Sequence, residues 1–219
     1  MLPNRLTWRR PRSGRLLTFA VAALVLAACS SGPAPSFDPS GPCGIDGRVA
    51  GAYPDLEALL PTTFEGTQPG TVDSGRHCSE GALGSLIVHD VTTVQFAGAI
   101  WDLGSGSGIS SAIFRLPKRD LPADWISEFY EIGARTAKRT ENIATSRPSL
   151  TGIGSVFRLD TLNSLSLQSV VVWQDGPMVR VVLVATSVGP GATRAAHDSL
   201  VDQAVAATVV APPVPSAGG

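Results

Sequence analysis

The 219-residue sequence is short of cysteine, of aromatic residues and of charge in excess of either sign, and each shortage excludes something. Three cysteines are too few for a disulfide scaffold or a four-cysteine zinc site. The 17 Lys plus Arg nearly balance 18 Asp plus Glu, which gives no support to nucleic-acid binding. Charged residues make up only 16% against 43% apolar, so wholesale disorder is excluded and a core is within reach. The one long apolar run, Leu16 to Ala28, spans roughly 20 Å as a helix, short of the roughly 30 Å of a membrane interior. A permanent transmembrane helix is therefore not expected.

What the run does fit is an export signal. Residues 1–28 carry five arginines and no acid ahead of the apolar stretch, the basic and hydrophobic regions of a secretory signal peptide. The run ends Leu26-Ala27-Ala28-Cys29 and continues Ser30-Ser31-Gly32, which resembles the lipobox of bacterial lipoproteins. The resemblance covers about the first 32 residues and speaks to address alone. It implies diacylglycerol on the Cys29 sulfur, cleavage before that residue and acylation of the new amino terminus, and hence a membrane anchored through lipid as one partner. Arg9-Arg10 raises the twin-arginine route, but Pro11-Arg12-Ser13 lacks the hydrophobic residues expected after the pair, which favours general secretion. Ser30, where an aspartate would signal inner-membrane retention, leaves outer-membrane sorting open. Without residues 1–28 the balance becomes 12 basic against 18 acidic, a formal charge of −6 in place of −1.

The remaining organisation follows from composition. Residues 29–42 are rich in Ser, Gly and Pro and are predicted to be a tether, 43–210 a single folded domain, and 211–219 a disordered tail. With Cys29 committed to lipid, Cys43 and Cys78 remain as an even pair in an oxidising compartment, and a disulfide between them is predicted. A metal or thiol role for His77-Cys78 is the competing reading, but His89 and His197 lie far away without ligand spacing, so no metal and no cofactor are expected.

Within the domain, Asp55–Leu60 is predicted to be a short helix and the stretch to Gly84 a loop. Leu86–Val91 is predicted to be a strand, with His89 on the face of Ile87 and Val91. Val94–Leu103 and Ile109–Leu116 form a hairpin around Gly104–Gly108. Leu121–Lys138 has the spacing of a helix, with Trp125, Phe129 and Ile132 on its apolar side and Glu131 placed to pair with Arg135. Ile153–Asp160, Leu165–Trp173 and Met178–Ala185 read as strands, the last two joined at Asp175-Gly176, a strong hairpin signal. Thr193–Val209 reads as a second long helix. The order predicts an α+β fold, an antiparallel sheet covered on one face by two main helices.

The chemistry-bearing patterns are sparse. No five-residue window matches G-x-S-x-G, and the Gly104–Gly108 loop lacks a P-loop lysine, departs from G-x-G-x-x-G and precedes a strand. Asp160-Thr161-Leu162 lacks the glycine of the aspartic-protease triplet and has no second copy. Trp101, Trp125 and Trp173 fall near the ends of elements and would line a ligand cleft if those ends met; capping of the core is the competing reading. The expectation is a non-catalytic envelope lipoprotein that binds a small ligand or an envelope partner. The alternative is an exported hydrolase whose residues assemble only in three dimensions, marked by a histidine near a serine and a carboxylate.

Overall fold

Two hairpins and their pairing organise the chain. The computed structural model describes residues 37–189 and 192–209. The signal segment, Cys29, the first part of the tether and the tail 211–219 lie outside the described residues. In chain order the described elements are β1 (Gly47–Val49), α1 (Pro54–Glu57), β2 (Thr71–His77), α2 (Glu80–Leu83), a 3-10 helix (Gly84–His89), β3 (Val94–Gly104), β4 (Ser107–Arg115), α3 (Ala123–Thr136), β5 (Glu141–Ser146), the small pair β6 (Ser149–Leu150) and β7 (Gly154–Ser155), β8 (Phe157–Leu162), β9 (Ser166–Asp175), β10 (Met178–Ser187) and α4 (Arg194–Val209). Eight of the strands form one antiparallel sheet in the order β1-β2-β3-β4-β10-β9-β8-β5, an α+β architecture.

The hairpins predicted around glycine are present. Asp175 pairs with Met178, so Gly176 and Pro177 make the turn, and Gly176 takes the left-handed φ of +57° that the tight reversal requires. Pairing of β4 with β10, with Ala112 opposite Val181, then joins the first half of the domain to the second.

Both faces of the sheet are covered, a correction to the single covered face expected. Val182 and Val184 of β10 pack towards α4 with Val201, Ala204 and Val205. Val179 and Val181 of the same strand point the other way, to a second core with Leu121 and Ile126 on the α3 side. The physical cause is the near-continuous apolar run in β9 and β10, which alternation on a half-solvated strand would not produce. Covering the sheet takes more than two helices: α1 adds Leu56 to the α4-side core, and α2 adds Leu83 to the α3-side core.

Other departures have equally local causes. Leu86–Val91 is not a strand: Ser79 caps α2, and a 3-10 helix follows that buries Leu86 and leaves Ile87 and Val88 exposed. His89 therefore shares no strand face with Ile87 and Val91. The predicted loop between Pro61 and Gly84 contains β2, whose buried residues include Ser74 and Arg76. On α3 the apolar side is turned so that Ile126 is buried and Ile132 is exposed.

The start of the domain is held by three devices. Cys43 and Cys78 form the predicted disulfide, with their Cα atoms 6.1 Å apart. Asp46 accepts from the backbone N–H of Cys78 (2.6 Å) and Ser79 (2.9 Å) and from the Ser79 hydroxyl. Arg76, only 6% exposed, donates to the carbonyls of Gly41 (2.7 Å), Asp38 (2.7 Å) and Pro42 (3.0 Å). Its guanidinium also lies 5.7 Å from the Phe37 ring centre. Residues 37–42, assigned to the tether by composition, thus make these contacts with β2.

Candidate functional site

Gln174, at the end of β9, sets α3 over the sheet. Its carbonyl oxygen accepts from the Ala123 backbone N–H at 2.9 Å, supplying the cap that Pro122 cannot, while its amide donates to the carbonyls of Leu121, Gly176 and Met178. The hairpin turn and the start of α3 are thereby fixed together. Farther along, α3 and the strands border an open cleft of about 520 Å³.

Leu159 and Thr161 of β8, Gln168 and Val170 of β9 and Leu183 of β10 contribute the sheet side. Phe129, Tyr130 and Gly133 contribute from α3, and Gly81, Gly84 and Ser85 from α2 and the turn after it. Glycines leave the space open: a Cβ at Gly81 or Gly133 would meet nothing within 4 Å. Gly84, at φ +52°, is different, since a Cβ there would lie 3.1 Å from the Phe129 ring. It brings the wall closer to the aromatic side chain than a larger residue could come without displacing the ring.

None of the lining residues is charged. The Ser85 hydroxyl is buried with no hydrogen-bond partner, an uncommon state for a native polar group and an unused donor and acceptor in the wall. Although part of the Tyr130 side chain is exposed, burial pushes its pKa up to about 12, so it remains a neutral phenol. Chemically the cleft suits an apolar body with hydrogen-bonding capacity, and nothing in it supplies a nucleophile with a base.

The tryptophans do not converge on one cleft. Trp101 and Trp173 are buried in the α4-side core, and the Trp101 indole donates to the Thr67 carbonyl at 3.0 Å. Trp125 lies against the other core, stacked on His89 with ring centres 4.3 Å apart. His89 also meets Glu128 at 3.0 Å. His77 stacks on Phe96 at 4.6 Å, and burial pushes its pKa below the ordinary value. Among the described residues no group of three or more His, Cys, Asp or Glu is placed to hold a metal ion, and no helix is long and apolar enough to cross a membrane.

His197 does sit near a serine and a carboxylate. Its Nε2 is 2.7 Å from the Ser169 hydroxyl and its Nδ1 is 2.8 Å from that of Thr186, while Ser169 donates to Asp160. The serine hydroxyl thus points its hydrogen at the carboxylate, and the imidazole donates to that serine from Nε2, the reverse of a hydrolase arrangement in which the carboxylate orients the histidine and the histidine takes the serine proton. Ser169 and His197 are each 1% exposed. Burial alone would raise the Asp160 carboxyl, but the Ser169 hydrogen bond and the Arg158 and Arg194 guanidinia hold it below the ordinary range. Burial, assisted by Arg194, lowers His197 and keeps it neutral. This chain of hydrogen bonds ties α4 to the sheet.

The cleft was not found from sequence because its residues come from six separate elements. The one local hint is Gly133, a glycine inside an otherwise regular helix. Comparison of the chain with family models, with curated proteins and with solved structures finds no match.

Proposed function

We propose that the protein is an extracytoplasmic lipoprotein, anchored through Cys29 to the cell membrane or outer membrane, whose folded domain is a non-catalytic binding module. The cleft between α3 and the sheet takes a small, largely apolar ligand. The observation that carries the reading is an uncharged cleft of about 520 Å³ whose wall contains the unpaired Ser85 hydroxyl. Ligand pockets are commonly of this size and of this mostly apolar character with few polar groups. The lipobox-like Leu26-Ala27-Ala28-Cys29 supports the address, and acyl chains would hold a net acidic domain at a surface it has no charge affinity for.

Replacing Cys29 by Ala is expected to move the protein from the membrane fraction to the soluble or secreted fraction; unchanged retention would sink the anchor. The released protein is then titrated with 1-N-phenylnaphthylamine, a neutral apolar fluorophore. Saturable enhancement is expected in the Cys29→Ala protein and loss of it when Gly133→Leu is added, because the leucine side chain fills the cleft. A folded protein that gives no enhancement, or the same enhancement with Gly133→Leu, would overturn the cleft as the binding site. Hydrolysis of p-nitrophenyl esters abolished by His197→Ala would favour the hydrolase alternative.

A further inference from the structure

We infer that the occupant of this cleft is a single long acyl chain ending in a carboxylate, a fatty acid, with the chain inside and the head group at the carboxyl end of α3. The inference rests on the apolar-ligand reading above. Three features of the cleft select this class.

The first is size. At about 30 Å³ per water-sized group, 520 Å³ holds roughly 17 such groups, and a methylene is of similar bulk. On that scale one chain of about 14 to 16 carbons matches the cleft.

The second is the distribution of polarity. The lining carries no charge, so an ionised head cannot be buried there without a large desolvation cost. The head must stand at the mouth, outside the uncharged wall.

The third is the sign of the charge beside the mouth. Ala137 and Thr140 line the cleft, and between them in the chain are the exposed Lys138 and Arg139. Arg135, one turn earlier, is paired with Glu131 at 2.7 Å. Lys138 and Arg139 take part in no ion pair among the described residues. Two adjacent exposed cations, next in the chain to the lining residues Ala137 and Thr140 of a net acidic chain, favour an anionic head over a neutral or cationic one.

The test is displacement of bound 1-N-phenylnaphthylamine from the Cys29→Ala protein by saturated fatty acids of 8 to 18 carbons and by the alcohols of the same lengths. The acid of 14 to 16 carbons is expected to compete best, at about tenfold lower concentration than its alcohol. Lys138→Glu with Arg139→Glu is expected to remove that advantage while leaving the alcohol unchanged, and Gly133→Leu to weaken both. Gly81→Leu, on the opposite element, serves where circular dichroism shows that Gly133→Leu fails to fold. If the probe binds but acid and alcohol compete equally, the fatty-acid inference falls and the apolar-ligand reading stands. If the folded protein does not bind the probe, both fall.

Discussion

His197 on α4 and Ser169 on β9 meet at 2.7 Å, with both side chains buried, and this contact fixes the protonation state of the helix anchor. The Ser169 hydroxyl donates its hydrogen bond to Asp160, so its oxygen accepts from the imidazole Nε2–H, and Nδ1 is left to accept from the Thr186 hydroxyl. A second proton on the ring would turn Nδ1 into a donor and place a charge near Arg194. Burial lowers the folded-state pKa of His197, and burial does the same to His77. The unfolded chain therefore binds more protons just below the ordinary value of 6.5, and stability falls as pH drops from there towards the folded pKa values. Urea unfolding between pH 8 and pH 5 is expected to show this slope, and His197→Gln to reduce it; an unchanged slope would exclude His197 as a source. A further loss is expected below the ordinary Asp value of 3.8, as Asp160, held low in the fold, takes up its proton.

Arg76 makes a separate prediction at the other end of the sheet. Its guanidinium grips the carbonyls of Asp38, Gly41 and Pro42 in a fork that lysine cannot reproduce. Arg76→Lys is expected to cost about 2 to 4 kcal/mol, since charged hydrogen bonds are lost and a buried cation remains. Limited proteolysis is expected to cut near residues 37–42 in the variant before it cuts the parent. Equal cleavage of the two would show that the grip does not hold this segment.

The contrast between β2 and β10 explains how much of the fold was legible. Met178 to Ala185 announces a strand because apolar residues fill it and Asp175-Gly176 marks its turn. Thr71 to His77 buries Ser74 and Arg76, whose interiors are stabilised by partners remote in sequence: Ser74 bonds Glu57 and the Tyr53 N–H, and Arg76 bonds residues 38–42. Hydrophobic period cannot detect a strand buried by hydrogen bonding. The same holds for the cleft, because the open space beside Gly81 and Gly133 depends on how α2, α3 and three strands come together. The disulfide was legible by parity once Cys29 was set aside, whereas the tryptophans misled because their positions along the elements did not reveal which face of the sheet each would occupy.

The disulfide carries its own expectation. Cross-linking residues 35 apart in sequence stabilises by about 4 kcal/mol in the chain-entropy model. Replacing Cys43 and Cys78 by Ser is expected to lower Tm by about 10 °C, and peptide mapping without reductant to recover the linked pair from the parent. Ser79 still caps α2 in the variant and Asp46 still holds Ser79, so the circular dichroism of the folded state should be retained. Two free thiols in the folded protein, or a Tm unmoved by the replacement, would contradict the bridge or its contribution.

Gly84 and Gly133 both border the cleft, yet alanine should act on them in opposite directions. Gly133 lies within α3 with open space at its Cβ position, so Gly133→Ala is expected to stabilise by about 0.5 to 1 kcal/mol through helix propensity and a less flexible unfolded chain. At Gly84 the backbone is at φ +52° and the added carbon would stand 3.1 Å from the Phe129 ring. There the new residue is strained and Phe129 must give way, so a cost of about 1 to 3 kcal/mol is expected. The two midpoints, measured by urea unfolding under one condition, should move apart. If Gly84→Ala were as stable as the parent, the close approach of the α2 wall to α3 would be wrong, and with it the shape assigned to the cleft.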